Sequence, residues 1–595
     1  MNKIIQNSFW ENLTKRYTPY LIIGLAVIIA YSKAPSFDFS GLDDKLIIFQ
    51  NFNFLKDLSN IPKAFNTDAF ISNINSPFYR PLQTVSYIFD TQFVGDRPVA
   101  FIYHLVNIIF HLLNSFFLYV LFNNFQNNKL ISLILSLIYS VNPLFVHTVA
   151  WIPARGDILV NTFIILSFIF WIKYLNTQKS NFLYLNSLFF IMALFSKEIA
   201  GTTPLLFLFY QYLKDKNNFE IRKIIKPIIF WGICILIYFL LRRTAVTSNY
   251  SEGLYNIDNL FQNLPTIFEF ISKFVLGINL SPLPDFNLFV TYSGFLILVV
   301  ISLYLYFYKN FDFKPILFGI LWIFVFLLPT LMFKHGLGEF AYKYLEHRAY
   351  LPLIGFLFIL IPIINNLILT DQNNYKKISI LILILYYTLH TYVYSETYRN
   401  PFNLYTRAIE TNPKSAMAYY NRGVNLRNEN KINEAFRDIN KALEIYPNYV
   451  EALYDRAILY HNSNQINLAA KDYERYLMFK PNNYIALNSL AVIYGMNGRY
   501  NDALILLNRC IKLMPNNPAA YNNRGYALFL QKKINEALND FNTALTLNNR
   551  FADAYLNRGN LYYEIGKKSE ACIDWQNALN FGNQAAKSQI DKFCN

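Results

Sequence analysis

Two adjacent aspartates, Asp43 and Asp44, stand about ten residues beyond the first long apolar run of the chain. Neighbouring carboxylates raise one another's pKa, so the pair suits general-base work or cation binding; in isolation it is also what a hydrated loop looks like. Tyr79-Arg80-Pro81-Leu82 follows, and then His104, Asn107, His111 and Asn114 at helical spacing. By the helical period those four fall within about an 80° arc. A polar stripe inside an apolar helix must face protein or a water-filled cavity, as ligand contacts or as hydrogen-bond glue between helices. Further on lie Asn142-Pro143, His147, Ala150-Trp151, Arg155 and Asp157, then Ser196-Lys197-Glu198, and finally Glu346-His347-Arg348-Ala349-Tyr350-Leu351-Pro352. Arg80, Arg155, Lys197 and Arg348 have the chemistry to hold a phosphate or pyrophosphate. The carboxylates could deprotonate an acceptor hydroxyl.

The elements that carry these residues are apolar. The chain has 595 residues, 54% hydrophobic and only 15% charged, where about 25% charged is usual, so a wholly soluble protein is excluded. Span-length apolar stretches lie near 17-34, 99-122, 130-147, 157-174, 181-195, 199-213, 226-242, 289-308, 315-333, 349-369 and 377-395, about 11 transmembrane helices. The stretch 264-281 is interrupted by Glu269 and Lys273 and reads as an interfacial helix. Lys3, Lys15 and Arg16 precede the first stretch and Lys33-Ala34-Pro35 is a poor cleavage site, so that stretch reads as an uncleaved span. Lys129, Lys179, Lys214, Lys216, Arg222, Lys223, Lys309, Lys314 and Lys376 mark the inner loops, whereas the first loop, 35-98, is rich in aspartate. The positive-inside rule then places the N-terminus in the cytoplasm and puts every motif above, with the C-terminal region, on the outer side. Clustering at one face argues against a transporter, which needs a path through the bilayer.

From about residue 400 the sequence changes character. Prolines 413, 447, 481 and 515 recur every 34 residues, and small residues recur with them: Gly423, Ala457, Ala491, Gly525 and Gly559, then Ala435, Ala469, Ala503, Ala537 and Ala571. This is the tetratricopeptide repeat, an α-solenoid of antiparallel helix pairs. The expected domains are 1-398, polytopic; 399-415, a linker and half repeat; 416-583, five repeats; and 584-595, a tail. Such repeats normally bind peptides or proteins, and Asn421, Arg422, Arg456, Asn488, Asn522, Asn523, Arg524, Asn557 and Arg558 on the first helices could supply donors to an extended backbone or could be solvated. The net charge of +15 is spread over both regions without a basic run, which argues against nucleic acid. Cys234, Cys510, Cys572 and Cys594 show neither CxxC pairing nor metal-ligand spacing.

The ordered set of motifs resembles the GT-C glycosyltransferase superfamily, and within it the transmembrane and tetratricopeptide repeat-containing (O-mannosyltransferase-like) membrane protein family. The residues that carry the resemblance are Asp43-Asp44 with Asn51, Tyr79-Arg80-Pro81-Leu82, Tyr103-His104-Leu105-Val106-Asn107 with His111, Ala150-Trp151 with Arg155 and Asp157, Ser196-Lys197-Glu198, and Arg348 through Pro352. The resemblance implies a polyprenyl-phosphate or dolichyl-phosphate sugar donor, an extracytoplasmic acceptor and an acidic base in the first loop. Some superfamily members use a divalent cation (Mg or Mn), whereas the protein O-mannosyltransferases are thought to need none. This chain departs from the family pattern at Asn142-Pro143, where relatives often carry His-Pro, and at His147, where a Glu is common.

Taken together, the expectation is an all-α, GT-C-like membrane glycosyltransferase that moves a sugar from a lipid-linked donor to a protein Ser/Thr hydroxyl recruited by the repeats. Its expected catalytic residues are Asp43 and Asp44. Arg80, Arg155, Lys197 and Arg348 are the expected phosphate contacts, and Tyr79, His104, His111, His147, Glu198 and Tyr350 the further substrate contacts. The Asn- and Ile-rich composition points to an AT-rich bacterial genome, hence an inner membrane with periplasmic repeats. The rival expectation is a non-catalytic scaffold that assembles envelope complexes through its repeats.

Overall fold

The computed structural model describes residues 12–71, 76–215, 222–246, 256–308, 311–332, 341–369 and 375–594. Of the cations expected in inner loops, Lys3, Lys216 and Lys309 lie outside the described residues. The described residues are helical or irregular, with no strand. The chain divides into two compact units, Met1–Asn425 and Leu426–Asn595.

In the first unit the principal helices are α1 (Thr18–Tyr31), α2 (Pro81–Thr91), α3 (Ala100–Gln126), α4 (Lys129–Ser140), α5 (Arg155–Thr177), α6 (Ser180–Ser196) and α7 (Thr203–Lys214). They continue as α8 (Arg222–Ala245), α9 (Pro265–Leu276), α10 (Leu288–Phe307), α11 (Lys314–Leu331), α12 (Leu353–Leu369), α13 (Tyr375–Tyr394) and α14 (Pro401–Thr411). Local chemistry sets the breaks. Asn127 ends α3 in the left-handed conformation that asparagine tolerates, and the Asn128 side chain then caps α4 by accepting from the Leu130 and Ile131 amides.

Among the described residues seven helices, near α1, α3, α5, α8, α10, α11 and α13, are long and apolar enough to cross a membrane; the bent pair of α4 with Pro143–Ala150 would make eight. The eleven stretches visible in hydropathy therefore divide differently. Helices α6 and α12 have 17 residues and α7 has 12, at or below the lower limit of a span. The break between the stretches 181-195 and 199-213 is the extended Lys197, which separates α6 from α7.

The reading of 264-281 as an interfacial helix is also revised. Both charges of α9 are fully buried. Lys273 Nζ meets Glu346 Oε1 at 2.7 Å, while Glu269 accepts from the Asn287 amide at 2.6 Å, the Thr291 hydroxyl at 3.0 Å and the Tyr344 hydroxyl. Charges satisfied inside the protein leave α9 no reason to seek an interface. Nearby, α11 and α12 cross at Gly319 and Gly355, where a Cβ on either would collide with the other's carbonyl oxygen. Small residues at such a crossing let backbones approach where there is little hydrophobic drive between helices.

Helix α14, the expected half repeat, belongs to the first unit. Its Leu404, Tyr405 and Ala408 join that unit's core. The Arg407 Nε donates to the Leu280 carbonyl at 3.1 Å, the Thr411 hydroxyl to Ser281 Oγ at 2.6 Å, and the Ser415 hydroxyl to the Ala341 carbonyl at 2.9 Å. The two compact units divide within α15 (Ala416–Asn428), the first helix of the first repeat.

The second unit continues with α16 (Ile432–Ile445), α17 (Val450–Asn462), α18 (Ile466–Phe479), α19 (Tyr484–Met496), α20 (Tyr500–Leu513), α21 (Pro518–Leu530), α22 (Ile534–Leu547), α23 (Ala552–Glu564), α24 (Lys568–Asn580) and α25 (Ala585–Phe593). The recurring small residues do what their spacing implies. A Cβ on Gly559 would sit 2.7 Å from the Trp575 ring and 3.2 Å from the Ala571 carbonyl, so the indole fills space that only glycine leaves. The expected tail is helix α25, which lays Phe593 against Tyr563 with ring centroids 4.4 Å apart. A Cys572–Cys594 disulfide ties it to the last repeat, with Cα atoms 5.7 Å apart.

Two glycine substitutions separate packing from propensity. Gly559→Val overpacks the Trp575 site and is expected to cost about 1–3 kcal/mol. Gly495→Ala in α19, whose Cβ would meet nothing within 4 Å, is expected to be neutral or to stabilise by about 0.5–1 kcal/mol. The thermal unfolding midpoint of the repeat region, followed by limited proteolysis of the full chain, should fall for Gly559→Val and stay level or rise for Gly495→Ala.

Candidate functional site

A cavity of about 450 Å³ opens in the first unit. Six charged side chains line it: Asp43, Arg80, Asp157, Lys197, Glu198 and Arg348. Each comes from the end of an element. Asp43 precedes the short helical turn Lys45–Phe49, and Arg80 stands just before Pro81 at the start of α2. Asp157 lies in the first turn of α5, Lys197 ends α6 in extended conformation, and Arg348 sits in the short helix Glu346–Ala349. Helix ends can point long side chains into a common space without placing charge within a span.

Arg80 and Lys197 pair with carboxylates of the same lining. Arg80 Nη2 lies 3.2 Å from Glu198 Oε1, with its guanidinium 4.7 Å over the Phe78 ring, and Lys197 Nζ lies 2.6 Å from Asp157 Oδ1. Burial pushes the Glu198 carboxyl up, but Arg80 and Lys197 override it and hold it down at about 2. Burial lowers the Lys197 ammonium, with Asp157 opposing. Asp43 differs from both other acids. Its carboxylate has no hydrogen-bond partner among the described residues, and burial raises its pKa while the Arg80 charge pulls it back. A carboxylate raised in this way and open to a cavity is suited to accept a proton.

The other residues singled out by sequence lie elsewhere. Asp44 is buried and turned to Ser40, accepting from its amide at 2.8 Å and from its hydroxyl; burial raises it to about 6. Arg155 is not at the cavity. Fully buried, it pairs with Asp90 and donates to Asn107 Oδ1 at 2.6 Å and the Tyr103 carbonyl at 2.7 Å, so its phosphate-contact reading gives way to a structural one. Tyr79 is buried with its hydroxyl on the Phe65 carbonyl at 2.8 Å. His111 bridges the Tyr350 hydroxyl at 2.7 Å and the Ser140 carbonyl at 2.9 Å, which accounts for both His111 and Tyr350. His104 faces the Asp38 carbonyl at 3.4 Å, and Asn114 donates to the Ile158 carbonyl at 3.1 Å. The stripe on α3 is therefore glue between elements. His147 stands behind the wall, its Nε2 3.5 Å from His347 Nδ1.

Sequence reasoning named Asp157, Trp151 and His347 without giving them a role, and missed Tyr342, Phe70 and Phe78, all of which line the cavity. Asp157 had a signal, its place in the first turn of α5. Tyr342 and Phe70 had none.

In the repeats, Arg456, Arg524 and Arg558 each make paired contacts to an aspartate sixteen residues on, Asp472, Asp540 and Asp574, at 2.6–2.9 Å. These guanidiniums are thus engaged within their own repeats. Four of the asparagines instead bond to one another, Asn523 Nδ2 to Asn488 Oδ1 at 2.9 Å and Asn557 Nδ2 to Asn522 Oδ1 at 3.0 Å, while Asn421 Nδ2 donates to the Met417 carbonyl at 3.0 Å.

Comparison with known proteins matches this region to tetratricopeptide-repeat families. Residues 416–449 and 439–471 match models described as tetratricopeptide repeat, and residues 525–566 one described as TPR repeat. No curated protein matches the chain. Similar solved structures include YrrB, described as a TPR protein with an unusual peptide-binding site, at 24% identity over 32% of this chain and 97% of that one, with a TM-score of 0.28. MamA is similar at 23% identity over 28% and 96%, TM-score 0.25, and a thermophilic TPR protein of Thermus thermophilus at 19% identity over 30% and 98%, TM-score 0.26. The C-terminal repeats are tetratricopeptide repeats, a module that mediates protein–protein interaction.

The structural role of Arg155 is open to test. Arg155→Met leaves Asp90 buried without its partner and should cost about 3–5 kcal/mol, whereas the double variant Arg155→Met/Asp90→Leu should recover much of the loss. Thermal midpoints of the detergent-solubilised protein report both. Recovery would not occur if the guanidinium acted mainly on a ligand.

Proposed function

We propose that the protein is a membrane glycosyltransferase that moves a sugar from a polyprenyl-phosphate donor to an acceptor hydroxyl, with its tetratricopeptide repeats recruiting the acceptor protein. One observation carries this reading. Asp43, a raised carboxylate without a hydrogen-bond partner among the described residues, shares a cavity with Arg80, Lys197 and Arg348. In the proposed step an acceptor Ser/Thr oxygen attacks the anomeric carbon and its proton passes to the Asp43 carboxylate. The bond from that carbon to the phosphate oxygen breaks, and the electron pair leaves on the lipid phosphate, which Arg80, Lys197 and Arg348 stabilise. A single displacement inverts the anomeric centre. The cavity and the repeats are proposed to lie on the extracytoplasmic side. The Cys572–Cys594 disulfide supports that side for the repeats, since disulfides persist in oxidising compartments.

The decisive experiment is mass spectrometry of envelope glycoproteins from cells carrying the wild type, a deletion, Asp43→Asn or Asp44→Asn at equal protein level. A hexose-type modification should disappear in the deletion and in Asp43→Asn but persist in Asp44→Asn, whose amide oxygen can still accept from Ser40. If the deletion alters the envelope and Asp43→Asn restores it fully, the scaffold reading replaces this one. The pH dependence supplies a second check. Because burial raises Asp43, the base is lost to protonation at higher pH than an ordinary aspartate, so the acid limb of the kcat profile should lie above about 3.9.

A further inference from the structure

The charged groups of the cavity account for a phosphate and a base, but not for the groups around Trp151. This indole lines the cavity at 7% exposure, and its Nε1–H has no hydrogen-bond partner among the described residues. A buried donor left unpaired costs about 1–3 kcal/mol, a penalty that a ligand oxygen would relieve. Beside it, 5.3 Å between ring centroids, is His347, which also lines the cavity. Its Nδ1 faces His147 Nε2 at 3.5 Å, and its Nε2 has no hydrogen bond among the described residues. Phe70 and Phe78 add aromatic surface to the same wall.

We propose that Trp151 and His347 form the glycosyl subsite, where an uncharged hexose rests its apolar ring face on the indole and directs its hydroxyls to the indole N–H and the free imidazole nitrogen. The inference rests on the transferase reading of the same cavity and adds which residues hold the sugar. Two features fit a neutral polyol. An indole offers a flat apolar face with one polar handle, matching the apolar face and hydroxylated rim of a pyranose. The imidazole, moreover, is uncharged: burial, His147 and the cations Lys197, Arg348 and Arg80 all drive the His347 pKa well below its usual value. A neutral imidazole donates through one nitrogen and accepts through the other, which suits hydroxyls; an imidazolium would only donate and would draw in the phosphate. With His147 against its Nδ1, His347 has one nitrogen fixed and one available. Recognition within the cavity is thereby divided, with Arg80, Lys197 and Arg348 for the anion and Trp151 with His347 for the sugar.

The test compares lipids with and without sugar. Full-length protein in nanodiscs is titrated with undecaprenyl phosphate and with undecaprenyl phosphate carrying glucose, galactose or mannose. The wild type should bind at least one glycosylated lipid about tenfold more tightly than the bare one, a ratio equal to about 1.4 kcal/mol. Trp151→Leu should bring that ratio to near unity with affinity for undecaprenyl phosphate unchanged, which also shows that the variant is folded. Trp151→Phe and His347→Asn should each give an intermediate ratio, and they carry the test if Trp151→Leu does not fold. A ratio that persists in Trp151→Leu and His347→Asn overturns the subsite and leaves the transferase reading standing, as does a wild type that binds every lipid equally. A wild type that binds none of these lipids overturns the transferase reading and the subsite with it.

Discussion

A charge withdrawn from water must find a partner, and the first unit is organised around meeting that condition. Arg155 pairs with Asp90, Lys273 with Glu346, Lys197 with Asp157 and Arg80 with Glu198. The partners are 65, 73, 40 and 118 residues apart in sequence, so each pair joins elements that chain connectivity leaves independent. The two innermost pairs do not touch the cavity, yet they aim what does. Lys273 holds Glu346, and the next two residues are His347 and Arg348 on the cavity wall. Arg155, locked to Asp90 and Asn107, anchors the start of α5, with Asp157 two residues after it and Trp151 four before. Removing a deep pair would therefore disturb the cavity lining without belonging to it.

The same condition explains what sequence could and could not disclose. Asp43, Arg80, Lys197, Glu198 and Arg348 were legible as one site because each lies close to the end of an apolar run, and charge asymmetry between loops put those ends on one side. Arg155 and Asp157 were not separable in this way. They stand two residues apart on one helix, and only the folded position of Asp90 decides that the arginine turns inward while the aspartate faces the cavity. The α3 stripe failed for a related reason. Helical spacing shows that His104, Asn107, His111 and Asn114 share a face, but not that backbone carbonyls of neighbouring elements await them. Glu269 and Lys273 misled in the opposite sense, since charges in an apolar run look like an interface until their partners, far along the chain, come into view.

The repeats were the most legible part because their code is local. Small residues at a fixed period predict close helix approach, and Gly559 against Trp575 is that approach realised. The Arg–Asp pairs sixteen residues apart obey the pairing condition within a single repeat, which is why they recur with the period. The Cys572–Cys594 disulfide stayed hidden, since neither its spacing nor the periodicity marks it, and α25 has to fold back before the two sulfurs can meet.

Charge balance also shapes what the cavity can do. Its three cations face three carboxylates, so with every group ionised the lining carries no formal net charge, and affinity for an anion cannot come from bulk attraction. What the internal pairs supply is position: Glu198 and Asp157 keep Arg80 and Lys197 extended into the site before any ligand arrives, which lowers the reorganisation needed later. In the proposed transfer the balance is maintained. A lipid phosphodiester with one negative charge becomes a monoester with two, and the extra charge appears as Asp43 loses its own by taking the acceptor's proton. The negative charge moves from one side of the cavity to the other while the total stays constant, so cations already fixed by their partners can stabilise the departing phosphate without a compensating rearrangement of the protein.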